Sequence, residues 1–377
     1  MRKQFCFIIL CIVIGTISCK KAADGSFVKK DVILEFSDSS LNSVANIGNN
    51  LKSIQVNKQV LLYAFSWKDK AIFIGNMEHG LAKVELCFLS PEIEFSHETD
   101  VILLSQTKAY LIDNKRRVLK IDLHRKTYEI IDLNSGLDDA LYPISYWAYP
   151  MIALSDDILE IPCTYVDLYL TNEGAFRTYF SRPSVLQINL SNDIVHSTAF
   201  GMYPERYQRG MFFDDLYCRL TRISENKRIL SFSCSDSIVL YTDEKEERCF
   251  MGYIPKPKFI SYNLKELADM QYKRKYTIEQ PRYLQVVYDP HRDLIYRVYK
   301  HSANFTNSDG KVTAYKDIEW SLILSDKDFK KQKSILFDKG IYSPIGMIPV
   351  PEGLFIQKYA KLNADEITGS IFEIYME

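Results

Sequence analysis

Runs of four to eight apolar, β-branched and aromatic residues alternate with short polar turns along most of the chain. The clearest set is 101–105, 109–113, 117–122 and 127–132, four predicted strands joined by tight turns such as Asp113-Asn114-Lys115. The same cadence returns over 218–223, 228–234, 237–241 and 248–252. It returns again over 283–288, 294–299, 319–324 and 333–337, with a longer insertion in the middle. Fainter copies occupy 51–56, 60–65, 71–75 and 83–88, then 149–154, 158–164, 184–189 and 194–200. The C-terminal set has three strands only, 344–350, 354–359 and 369–375, while 31–36 is a strand without a local partner. Residues of this kind fit a pleated, half-buried surface.

Six four-stranded units, the last completed by the orphan strand, predict an all-β fold, a six-bladed β-propeller closed through residues 31–36. Radial repetition leaves few open edges, and closing the last blade removes one more. About 60 residues per unit exceeds the ~40–50 of regular blade repeats, so the connections must be generous. A pair of β-sandwiches or an irregular solenoid would give a similar periodicity. One helix is expected over 264–275, between the fourth and fifth units, where Leu264, Leu267 and Met270 share a face. No Pro/Ser/Gly-rich tract divides the chain, so 31–377 reads as one domain.

The N-terminus has a different pattern. Arg2 and Lys3 precede an apolar stretch from Phe5 to Ile14 and then Gly15-Thr16-Ile17-Ser18-Cys19. A basic start, a short apolar core and small residues describe a secretory signal over 1–18, about half the length a spanning helix needs. The ending resembles the lipobox of bacterial lipoproteins, departing from it at Thr16, where a larger aliphatic residue is usual. That resemblance makes Cys19 the lipidated first residue of the mature chain, followed by a tether over 19–30, with simple secretion as the alternative. Lys20, not Asp, at the next position implies the outer membrane. Lys20-Lys21-Ala22-Ala23 lacks the acidic run of surface-exported relatives, which favours the periplasmic face.

Composition narrows the function classes. With 47 Lys plus Arg against 48 Asp plus Glu the net charge is −1, and losing residues 1–18 takes it to −3. That balance gives no footprint for nucleic acid. After Cys6, Cys11 and Cys19, five cysteines remain: Cys87, Cys163, Cys218, Cys234 and Cys249. Their odd number and wide spacing give neither a disulfide framework nor a zinc site. Cys218 and Cys234 could still face each other across a hairpin turning at 225–227; packed free thiols are the alternative.

Val287-Tyr-Asp-Pro-His-Arg-Asp-Leu-Ile-Tyr-Arg-Val-Tyr299 resembles the signature hairpin of a Bacteroides-type lipoprotein family, domain of unknown function 4221. Ser321-Leu-Ile-Leu-Ser-Asp-Lys-Asp-Phe329 and Pro351-Glu-Gly-Leu-Phe-Ile356 are similar to the same family. The resemblance spans the mature chain and implies a TolB-like six-bladed propeller. It carries no activity, because fold does not fix function.

Catalytic strings such as G-x-S-x-G, the phosphate-binding loop or H-E-x-x-H do not occur. The spacing of the six histidines predicts no metal site, no cofactor is implied, and His291 reads as an exposed turn residue. Adjacent acids at Asp138-Asp139 and Asp156-Asp157 sit in turn-like settings. Two aromatic segments, 142–149 and 202–209, could open on one face, where Tyr146, Trp147, Tyr207 and Arg209 would form a platform for a sugar ring or a partner chain. Packing between blades is the alternative for these rings. Arg297 could point into a central channel or pair with an acid of the next blade.

These features lead to a lipid-anchored envelope module that binds a protein or saccharide ligand without catalysis. The rival is a periplasmic hydrolase or lyase in the central pocket, which an acid–His–Arg cluster at the axis would favour. A purely structural envelope component is a third reading.

Overall fold

In the computed structural model, residues 26–35 and 51–376 are described, apart from 57–58, 96–98, 114, 145–148, 167, 169, 192–195, 210–212, 243–244, 267 and 360–365. The first strand, β1, runs Ser26–Glu35. Blade 1 is β2 (Lys52–Val56), β3 (Gln59–Ser66), β4 (Ala71–Asn76) and β5 (Gly80–Glu85). Blade 2 is β6 (Asp100–Leu103), β7 (Lys108–Ile112), β8 (Arg117–Asp122) and β9 (Thr127–Asp132). Blade 3 is β10 (Leu141–Pro143), β11 (Ile152–Ala153), β12 (Ile158–Tyr165), β13 (Pro183–Asn189) and β14 (His196–Met202). Blade 4 is β15 (Arg219–Ser224), β16 (Lys227–Ser231), β17 (Ser237–Thr242) and β18 (Glu246–Phe250). Blade 5 is β19 (Arg282–Asp289), β20 (Leu294–Lys300), β21 (Trp320–Asp326) and β22 (Gln332–Phe337). Blade 6 is β23 (Tyr342–Val350), β24 (Gly353–Lys358) and β25 (Glu366–Ile374), with β1 as its outer strand.

Six small antiparallel sheets in a ring make a six-bladed β-propeller, as the periodicity predicted, and the sandwich and solenoid alternatives fall away. β1 pairs with β25 from Ser26 opposite Ile374 to Glu35 opposite Glu366. It therefore begins at Ser26, inside the stretch expected to be tether. Val32 and Leu34 are buried between blades 6 and 1, and Asp31 accepts from Ser370 at 2.5 Å and pairs with Lys358 at 3.0 Å. Gly369 lies under the ring of Phe355: a Cβ there would stand 2.3 Å from it, so the closing blade needs glycine at that position.

The core lies between blades, and strand alternation explains why. Side chains one apart leave a strand on opposite faces. In β3, Leu61, Tyr63 and Phe65 pack toward blade 2, whereas Leu62 and Ala64 pack toward blade 6. The other interfaces repeat this scheme. The largest cluster joins blades 3, 4 and 5 and includes Tyr179, Phe180, Tyr203, Phe213 and Phe232.

The alternation does not locate every element. The fourth strand of blade 1 is β5, ending at Glu85, not 83–88. The helix expected over 264–275 is α3 (Met270–Glu279), capped by Asp269, with only a single 3-10 turn at Leu264–Glu266. Among the described residues two further α-helices were not predicted, α1 (Glu173–Phe180), capped by Asn172, and α2 (Glu205–Gln208).

A central cavity as the candidate functional site

The innermost strands β2, β6, β15, β19 and β23, with Pro150–Ile152 of blade 3, surround a central cavity of about 770 Å³. Most of its wall is aliphatic, with Ile54, Ile102, Met151, Ile223, Val286 and Ile348 contributed by six blades. Neighbouring inner strands belong to different sheets, so no backbone ladder joins them. Long polar side chains bridge them instead. Lys52 donates to the Val101 carbonyl at 3.2 Å and pairs with Asp100. Arg222 reaches the Ala153 carbonyl at 2.7 Å, Arg219 the Leu284 carbonyl at 2.8 Å, and Gln285 the Ile345 carbonyl at 2.9 Å. These contacts join blades 1 to 2, 3 to 4, 4 to 5 and 5 to 6 at the axis.

The two ends of the channel differ. At the ends where the inner strands leave, the blades turn tightly, and Glu225, Pro290 and His291 of those turns line the cavity. At the other end lie the long connections, including the segments that carry α1, α2 and α3. There blade 3 has an interrupted inner strand. Ile144 donates to the Pro162 carbonyl and Ile152 pairs with Glu160, so the pairing along β12 breaks between these two points. The described part of this excursion reaches blade 4: Tyr149 donates to Asp215 at 2.8 Å and its ring lies under the Arg219 guanidinium at 4.8 Å.

A cluster of buried charge stands beside it. Arg219 binds Asp215 at 2.6 Å, and Arg282 binds Asp214 at 3.2 Å. Burial works against ionising Asp215, but Arg219 and Arg282 outweigh it and hold the carboxyl below its usual range. For Asp214 burial prevails over Arg282, and its carboxyl is raised. Lys300, buried against the carbonyls of Ile278 and His301, is pulled down to about 7 by burial and by Arg282.

The residues singled out in the sequence are placed as follows. Cys19, Tyr146 and Trp147 lie outside the described residues. Tyr207 is buried in the aromatic cluster, its hydroxyl against Ser233 and accepting from the Cys234 amide at 2.9 Å. Arg209 is exposed and pairs with Glu205, so the two do not share a face. Arg297 is fully buried between blades 4 and 5. It does not line the channel, and among the described residues it pairs with no acid: it donates to Met251, Phe232 and Ser235 carbonyls and lies 3.6 Å over the Tyr283 ring. Burial lowers its pKa to about 10. Cys218 and Cys234 are free, buried thiols directed at the Ser184 carbonyl and at Gln280, not at each other. His291 is partly buried at the cavity's tight-turn end, and burial lowers its pKa. Asp156 and Asp157 pair with Lys108 and Lys120 at 3.7 and 3.1 Å. No cluster of three metal-ligating side chains occurs among the described residues.

Sequence reasoning missed Arg222, Gln285 and the Asp215–Arg219 pair. For Arg219, Arg222 and Gln285 the one signal was a long polar residue within a β-run, and Asp215, outside any strand, gave none. The hairpin that resembled the lipoprotein family is a structural joint. Buried Asp289 holds Arg292 and Tyr296, and Arg292 donates to the carbonyls of Val350, Pro351 and Gly353, tying two of the resembling motifs together.

The class defined by fold and site is a six-bladed propeller with a central cavity. Its fold is similar to that of a member of the domain-of-unknown-function 4221 family from Bacteroides vulgatus, at 14% identity and TM-score 0.72, covering 93% of this chain and 99% of that one. Weaker likenesses are virginiamycin B lyase from Staphylococcus aureus (10% identity, TM-score 0.42, 91% and 99% covered) and oligogalacturonate lyase from Vibrio parahaemolyticus (10%, 0.42, 94% and 96%). No protein-family model matches the chain, and no curated protein matches it in sequence.

Proposed function

We propose that this chain is a lipid-anchored cell-envelope propeller, a non-enzymatic binding or scaffold module whose ligand enters the central cavity. The cavity itself carries the reading: its volume lies in the range of small-ligand sites, and its wall is apolar with a few placed polar groups. Of the two ligand classes, protein and saccharide, the aliphatic wall favours apolar groups of a protein. Hydrolysis or elimination on a saccharide by paired carboxyls needs two of them across the site. The lining contributes Glu225 as its carboxylate, and the acids at the other end are engaged by arginines.

Anchoring rests on the lipobox at Cys19. β1 starts at the tight-turn face, where Ser26 meets Ile374. Seven residues span at most about 25 Å, so a lipid on Cys19 would hold that face, with the cavity's end, toward an outer membrane from the periplasmic side. Cys19→Ala should then abolish palmitate labelling.

The binding reading is tested by affinity capture from solubilised envelopes, comparing the wild type with Ile54→Trp, which enlarges a partly exposed side chain of the cavity wall. A retained ligand lost in the variant supports it. Nothing retained, or equal retention by both, refutes it.

A further inference from the structure

The polar side chains of the cavity wall are not electrically equivalent. Lys52 bridges two blades and has Asp100 beside it. Arg219, buried behind the wall, has Asp215. Gln285 is neutral. Arg222 makes the same kind of bridge, through Nη1 to the Ala153 carbonyl at 2.7 Å and Nε to the Ser224 carbonyl at 3.0 Å. Carbonyls stabilise a guanidinium without cancelling its charge. No carboxylate among the described residues forms an ion pair with Arg222. Glu225, three residues on, is exposed at the lip of the cavity, where water screens it.

We infer that the cavity takes an apolar chain ending in a free carboxylate, with Arg222 as the group that reads the carboxylate. This rests on the binding reading above and names the chemistry of its ligand. A guanidinium has five N–H donors in a planar fork, and two of its nitrogens here are already directed at carbonyls. Nη2 takes part in neither bond and keeps its hydrogens for a carboxylate. One uncompensated charge suits a monoanion, whereas a phosphate would ask for more cations than the wall supplies. The aliphatic remainder of the wall, with the partly exposed Ile54, Ile102, Ile223 and Val287, accommodates the chain. Such a ligand has two sources: a fatty acid, or the C-terminus of an apolar peptide.

Titration calorimetry on the full chain separates them. The probes are decanoate against decanol, below micelle formation, and the peptide Ala-Leu-Ile-Val as free acid against its amide. The acid form of at least one pair should bind about tenfold or more tightly than its neutral counterpart. In Arg222→Gln that ratio should fall to about one while the neutral probe still binds; Arg222→Met, which keeps an unbranched apolar stem without the charge, should do the same. In the fatty series, each added methylene should tighten binding roughly fourfold. A preference confined to decanoate or to the peptide acid identifies the source. Equal binding of acid and neutral forms by the wild type, or a preference that survives both substitutions, overturns the inference and leaves the cavity reading standing. Absence of binding by every probe, together with equal envelope capture by wild type and Ile54→Trp, overturns both.

Discussion

Blades 3 to 5 and blades 6, 1 and 2 are built on the same four-stranded unit, yet different chemistry holds them. Around blades 6, 1 and 2 the interfaces are chiefly aliphatic, with Leu34, Leu62, Ile72, Leu111 and Ile348, and the ring is closed by a strand from the other end of the chain. Around blades 3 to 5 the interface is aromatic and carries Arg219, Asp215, Arg282, Arg297 and Lys300 with almost no exposure. Apolar burial tolerates imprecise geometry, because it scales with area. Buried charge does not, since each ion must keep its partner once water is removed. The difference teaches that the first half depends on closure and the second on completed pairs.

Removing β1 should produce the largest effect. Without residues 26–35, β25 becomes an open edge and Val32 and Leu34 leave their interface. Thermal unfolding should lose its single cooperative transition, and hydrogen exchange should rise in blades 6, 1 and 2 before blades 3 to 5. Uniform loss across all six blades would erase the contrast between the halves.

Next in size is Asp215→Asn. It leaves Arg219 buried without its anion, which costs about 3–5 kcal/mol when one partner of a buried pair is removed. Arg177→Ala, which breaks the exposed pair with Glu173, should cost under about 1 kcal/mol. Denaturant midpoints compare the two, and similar losses would mean that burial does not separate them.

Lys300→Met should give the most specific effect, one that depends on pH. The native side chain titrates at about 7, below its value near ~10.4 in the unfolded chain. Between these values the unfolded state holds a proton that the folded state lacks, so wild-type stability gains from this group as pH rises from about 7 toward 10. At lower pH both states carry the proton and the penalty of the buried ammonium is complete. The substitution should therefore stabilise more at pH 6 than at pH 9, measured by thermal midpoint. An equal difference at both pH values would show that the ammonium is not the source.

How much was legible in the sequence follows the same division. Blades announced themselves because a period of two serves both faces of every strand, as the division of Leu61 and Leu62 between two interfaces illustrates. The closing strand was recognisable as a β-run lacking a neighbour. Side-chain destinations were not legible where they depend on how blades lie side by side. Tyr207 belongs to a short helix that turns its ring into the core, while Arg209, two residues on, meets water. Arg297 finds carbonyls of the preceding blade, a partner that no spacing encodes. Arg222 gave no signal beyond its place in a strand whose innermost position only the ring defines.

Hydrogen exchange with and without decanoate or the Ala-Leu-Ile-Val acid tests most directly that the axis is the binding site. Bound ligand should slow exchange in the inner strands, over 52–56, 219–224, 285–289 and 345–349, and leave the outer strands β5, β9, β14, β18 and β22 unchanged. Protection confined to outer strands or to the long connections, with inner strands unaffected, would contradict it.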